Sequence, residues 1–178
     1  MATSISRHCT QCKEGSPCNW DPVTGKRRDT YHVYVLELNE EIMGKQWFED
    51  RNPDYESGKP CVYVGMSGHL PKCRRSIHVN DSPKVPLEKK EYSCFCGDVP
   101  KKKKFTKRTK GSRKVRPFNK FRLLSSLFKP GPWGENPQET REDSEEAECM
   151  LADYLRSEGY GVWEGKRGKK CKETYLFD

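Results

Sequence analysis

Three side chains within one short stretch have types and spacing suited to work on a phosphate. The stretch reads Cys61-Val-Tyr-Val-Gly-Met-Ser-Gly-His-Leu-Pro-Lys-Cys-Arg-Arg-Ser-Ile-His78. A tyrosine, an arginine and a histidine (Tyr63, Arg74 and His78) can offer a hydroxyl, a fixed positive charge and a titratable imidazole. That trio suits an anionic group undergoing proton transfer. The same residues also fit an ordinary strand–turn–helix with solvated Arg74 and His78, because one motif is only a hypothesis.

The local pattern says how the trio would be held. Cys61 to Val64 is a β-branched and aromatic run, which is strand-like. A turn spans Gly65 to Gly68, and Pro71 sits where a helix can start, since a first-turn residue needs no amide donor. Leu70, Cys73 and Ile77 then recur at helical spacing, while Arg74 and His78, four apart, share one face. Arg75 has the same chemistry but is expected to face elsewhere. Upstream, Tyr31-His-Val-Tyr-Val-Leu-Glu-Leu38 is the clearest strand, with Val33 and Val35 on one side and Tyr34, Leu36 and Leu38 on the other. The polar connection to Cys61 suits an antiparallel pair.

Further along, Phe118 to Phe128 forms an apolar patch expected to pack on the sheet. Pro130-Gly-Pro-Trp-Gly134 breaks the chain. Thr140 reads as the N-cap of a helix running to about Ser157, with Ala147, Met150, Leu151, Tyr154 and Leu155 as its apolar stripe and Gly159 as its stop. Glu148 borders that stripe and can point into a cleft. Gly161–Glu164 and Glu173–Phe177 read as the last strands.

Composition narrows the partner. The chain has 178 residues, 34% of them charged, and a mean hydropathy of −1.02, so its apolar material is concentrated in few segments. Its formal net charge is +8. Between Lys84 and Arg122 lie 15 Lys or Arg against 3 acidic residues, a local net of +12 that leaves −4 for the rest. Such a block, including Lys101, Lys102, Lys103, Lys104, Lys107, Arg108, Lys110, Arg113 and Lys114, is expected as an exposed arm binding nucleic-acid phosphates. A solvated charge run and a nuclear-localisation-like patch are the alternatives. No run nears the roughly 20 apolar residues that span a bilayer, and the N-terminus lacks a signal-peptide core. The expectation is a protein that engages no membrane and is intracellular: cytoplasmic, or nuclear in a eukaryote.

Nine cysteines without an export signal read as thiols or metal ligands before disulfides. Cys9 and Cys12 have the spacing of a zinc pair, with Cys18 and His8 as further candidate ligands for structural Zn²⁺. Free thiols in a disordered tail are the alternative.

Taken together the elements resemble the GIY-YIG nuclease superfamily. Its name-giving tripeptides match His32-Val33-Tyr34 and Tyr63-Val64-Gly65, and Ser67, Leu70, Pro71, Arg74 and His78 fall on the positions of one branch. Glu148-Cys-Met-Leu151 matches the family's metal-binding Glu, and Glu146–Trp163 looks like the helix-to-strand ending of small bacterial and phage-type members. Lys114-Val-Arg-Pro-Phe-Asn-Lys-Phe-Arg-Leu-Leu124 resembles the segment before that helix. The likeness covers roughly residues 31–163. His32 replaces the first glycine, the family's late Asn has no counterpart, and the lysine-rich loop is longer than in the minimal domain.

The resemblance implies an α/β (α+β) fold, a three-stranded, mainly antiparallel sheet flanked by helices. Residues 31–165 would form the nuclease-like domain with a basic insertion at about 80–112. Residues 1–30 would be a cysteine-containing extension, and 166–178 a C-terminal strand or tail. It also implies a metal-dependent endonuclease acting on double-stranded DNA foremost, with Mg²⁺ or Mn²⁺ on Glu148. Tyr34 would be the general base, Tyr63 would orient water or share that role, Arg74 would hold phosphate oxygens and His78 would relay a proton. The rival readings are a noncatalytic nucleic-acid-binding module using the basic arm, and a zinc-stabilised interaction protein.

Overall fold

A computed structural model describes residues 30–80, 114–128, 131 and 133–165. The candidate zinc ligands His8, Cys9, Cys12 and Cys18, the basic residues Lys101 to Arg113 and the strand expected at 173–177 lie outside the described residues.

The fold is a mixed α+β arrangement around one four-stranded sheet. Its strands are β1 (His32–Leu38), β2 (Cys61–Ser67), β3 (Asn119–Leu123) and β4 (Gly161–Glu164), in the spatial order β3-β1-β2-β4. β1 pairs antiparallel with both β2 and β3, whereas β2 and β4 are parallel. The sheet therefore has four strands where the resemblance implied three. The added strand is β3, in the segment expected only as an apolar patch. Its residues alternate, with Lys120 and Arg122 exposed and ion-paired to Glu37 of β1. This is a period-two signal that its apolar content obscures.

β1 and β2 are apolar almost throughout because both of their faces are covered, as expected of central strands. On one face Val33, Val35, Val62, Val64 and Val162 meet Ala147, Leu151, Ala152 and Leu155 of a long helix. On the other, Tyr34, Leu36, Leu38, Cys61, Tyr63 and Trp163 pack with Ile42, Phe48 and Val115. Ile42 and Phe48 come from the helical turn Glu40–Gly44 and the short helix α1 (Gln46–Glu49). The helix α2 (Pro71–Asn80) lies on that second face, towards β1 and β3.

The long helix, α3 (Arg141–Ser157), starts where expected. Thr140 Oγ1 accepts from the Asp143 amide at 3.0 Å, and Glu142 and Asp143 load the first turn, as the helix dipole favours. Gly159, at φ 77°, ends it. α3 lies in the connection from β2 to β4, which gives that parallel pair its required crossover.

Two asparagines close backbone that would otherwise be open at the sheet margins. Asn52 pairs with both the N–H and C=O of Val162 on the edge strand β4. Asn136 does the same for Val33, where β3 no longer covers β1. Each side-chain amide thus stands in for a neighbouring strand and satisfies groups that are costly to bury unpaired.

No helix among the described residues is long and apolar enough to cross a membrane. Cys61 is a buried free thiol, pushed by burial up to about 11. Cys61 thus bears out the reading of the cysteines as thiols, whereas Cys149 is disulfide-bonded, which corrects that reading for this one residue.

Candidate functional site

The register of β1 against β2 brings the two tyrosines together. Tyr34 lies opposite Gly65, and Tyr63 is two residues before that glycine on the same face. Their rings are 6.1 Å apart, centroid to centroid. Gly65 is the reason they fit. A Cβ there would fall 2.8 Å from both the Tyr34 hydroxyl oxygen and Cε1 of Tyr63, so only a residue without a side chain leaves room.

Helix α2 then lowers two of its side chains onto this pair. The turn before it is held by the Ser67 hydroxyl, which accepts from the His69 amide at 3.1 Å. From the helix, Arg74 Nε donates to the Tyr34 oxygen at 3.3 Å, and His78 Nε2 lies 3.1 Å from the same oxygen. An arginine nitrogen can only donate, so the Tyr34 oxygen accepts there and its own proton is available to His78. The imidazole also packs about 6.0 Å from both tyrosine rings, centroid to centroid. Arg75, one residue away, turns to β3 and donates to the Phe121 carbonyl, as its position on the helix required.

Glu148 reaches the site from the opposite side. It is 5% exposed, and its Oε1 accepts from the Gly165 amide at 3.0 Å, just beyond the end of β4. A Cβ on Gly165 would lie 2.9 Å from the Tyr63 hydroxyl and 3.3 Å from Glu148 Oε1. The missing side chain therefore leaves a small space that both groups border. The constellation collects at the C-terminal ends of the parallel pair β2 and β4.

Electrostatics separates the roles of these groups. Burial pushes the Glu148 carboxyl from an ordinary 4.5 up to about 8; the Gly165 amide holds it back, the Glu164 carboxylate raises it further and the Met66 amide lowers it. Burial also drives Tyr63 well above an ordinary phenol, with Tyr34 and Glu148 adding to the effect, so Tyr63 keeps its proton and serves as a donor. Arg74 is held more firmly protonated, chiefly by Tyr34. Among the described residues neither Arg74 nor Glu148 makes an ion pair.

The five residues singled out from sequence are thus linked through the tyrosine pair, with Arg74 and His78 on the Tyr34 hydroxyl and Glu148 beside that of Tyr63. Lys114 does not join them: it is exposed, with Nζ 5.1 Å from the centre of the Trp47 ring. The sequence places Gly65 at the start of a turn, whereas it lies inside β2, and Gly165 was not singled out. The usable signal was a glycine inside one strand and another directly after the Val-Trp-Glu strand, since glycine there often marks close approach. Among the described residues no group of three or more His, Cys, Asp or Glu could hold a metal ion. Comparison with family models, curated proteins and solved structures gave no match.

Proposed function

We propose that the protein is a metal-dependent phosphodiester hydrolase acting on DNA as an endonuclease, with a GIY-YIG-type site. One observation carries this reading: a half-buried arginine and a buried carboxylate border the same tyrosine pair, and among the described residues neither makes an ion pair. Buried charges are costly unless compensated. An anion for Arg74 and a cation for Glu148 would compensate both at once.

Each residue has a part that its geometry supports. Arg74 uses Nε on Tyr34 and keeps its remaining N–H groups for nonbridging phosphate oxygens, where a planar fork is better than an ammonium. Tyr34 can take a proton from an attacking water while passing its own to His78 Nε2. Tyr63, kept protonated, can donate to a phosphate oxygen or orient the water.

Glu148 fits a hard divalent cation, because it is a buried carboxylate beside the space at Gly165, with no counter-charge among the described residues. With a single protein carboxylate, water and phosphate oxygens would complete the shell. Mg²⁺ or Mn²⁺ there would supply charge stabilisation for the leaving oxygen.

The test is nicking of supercoiled plasmid by the full chain with and without Mg²⁺. Glu148→Gln and Arg74→Ala are each expected to lower cleavage by on the order of 10³-fold or more. Cleavage surviving in either variant would place the chemistry elsewhere.

A further inference from the structure

Beside the proposed site, one strand further towards the sheet edge, lies a cluster with a different composition. Trp163 of β4 is the register partner of Tyr63, so the two aromatic residues are neighbours on the same face. Trp47 of α1 packs edge-on against it, centroids 4.8 Å apart at 77°. Trp163 is almost fully buried, whereas Trp47 keeps part of its surface open. Two cations cover the pair. The Arg51 guanidinium lies 4.4 Å from the Trp163 ring, and Lys114 Nζ lies 5.1 Å from Trp47 and 5.5 Å from Trp163.

The cations around this cluster differ in how they are paired. Arg51 and Arg156 share Glu164, and Arg156 also takes Asp153. Lys114 is left with its two ring contacts and no ion pair among the described residues. Among the described residues Lys114 thus presents an exposed charge with no carboxylate on it. Lys114 is also the last residue singled out in the basic stretch. A half-open indole beside an exposed cation offers a surface for a base and a charge for its phosphate.

We propose that Trp47, Trp163, Arg51 and Lys114 form a subsite for an unpaired nucleotide of a DNA strand that continues from the proposed site. The base packs on Trp47, and its phosphate lies at Lys114 and Arg51. A stacked duplex cannot present a base face in this way, so the subsite selects DNA with an unpaired stretch over intact duplex. This rests on the nucleic-acid reading of the neighbouring site, but not on cleavage there.

The experiment uses the full chain in EDTA, so that no cleavage occurs, and titrates it with a thymidine 12-mer and with a matching duplex. Tryptophan fluorescence and anisotropy of a labelled strand are followed together over a range of salt. The single strand is expected to quench fluorescence, and Trp47→Phe to remove most of that quench. Lys114→Gln, an exposed change that leaves the core alone, is expected to weaken single-strand binding about threefold to tenfold. It should also lower the salt slope by about 0.7, with a much smaller effect on duplex.

Binding without quenching in the wild type would overturn the proposal, as would equal losses for single strand and duplex in Lys114→Gln. The cations would then only support the aromatic packing. A wild type that shows the quench yet fails to nick plasmid with Mg²⁺ would keep the subsite and sink the nuclease reading instead.

Discussion

Two buried glutamates close to one another show how differently this molecule treats the same side chain. Glu164, 2% exposed, bonds Arg51 through Oε1 at 2.9 Å and Arg156 through Oε2. Although burial alone would raise it, those two guanidiniums hold its carboxyl below the ordinary value. Glu148, 5% exposed, has amide hydrogen bonding but no cation among the described residues, and burial pushes it up to about 8. One carboxylate is fully provided for within the fold. The other is left costly, and folds tend to keep such a cost only where something binds or reacts.

The comparison can be broken by neutralising each glutamate in turn. Glu164→Gln leaves Arg51 without its counter-charge and Arg156 with Asp153 alone. It is expected to destabilise the protein by about 3–5 kcal/mol in denaturant unfolding at pH 7. Glu148→Gln, measured the same way without divalent cations, is expected to stabilise it by roughly 2–4 kcal/mol at pH 8. If both changes destabilise alike, Glu148 is as well compensated as Glu164 and the case for its binding a cation collapses.

The pH dependence sharpens the same contrast. A carboxyl raised in the folded state costs nothing while it is protonated in both states. The Glu148 penalty is therefore absent below about pH 4.5 and grows until about pH 8. A lowered carboxyl behaves oppositely, so the Glu164 contribution is present above the ordinary value of 4.5 and is lost as pH falls through its folded value. The gap in melting temperature between Glu148→Gln and wild type should therefore open from pH 5 to pH 8. Added Mg²⁺ should narrow it, by stabilising the wild type alone. A gap that stays constant with pH would mean that Glu148 is not the titrating group.

The smallest expected effect separates the neighbouring arginines. Arg74 touches Tyr34, whereas Arg75 bonds the Phe121 carbonyl. Arg75→Ala is expected to change the nicking rate of folded protein less than about threefold, with a loss of about 1 kcal/mol in stability from its hydrogen bond. A loss of cleavage comparable with that of Arg74→Ala would show that the face of α2 has been read wrongly.

Much of this was legible because it depends on local period and on residue type. The alternation in His32–Leu38, the helical spacing from Arg74 to His78 and the Thr140 cap all appear in the fold where expected. β3 was not read as a strand. Phe121, at φ 59°, and the register break between Leu36 and Leu38 interrupt its regularity, and its pairing partner is some 80 residues away. Gly165 and the cluster around Trp163 were also missed, because what makes them matter is their distance from groups on other elements.

By itself the sequence determined which residues could do chemistry, on which strand or helix each would sit and which face it would share with its neighbours. Those properties follow from side-chain type and from periods of two and 3.6 residues. Only the tertiary structure decided that Tyr34 would be the hub, that Tyr63 would keep its proton, and that Glu164 would be neutralised while Glu148 would not. Those outcomes depend on burial and on the placing of distant charges. Arg51 comes 113 residues before Glu164 in the chain and Arg156 only 8 before it, and no local pattern records that they meet there rather than at Glu148.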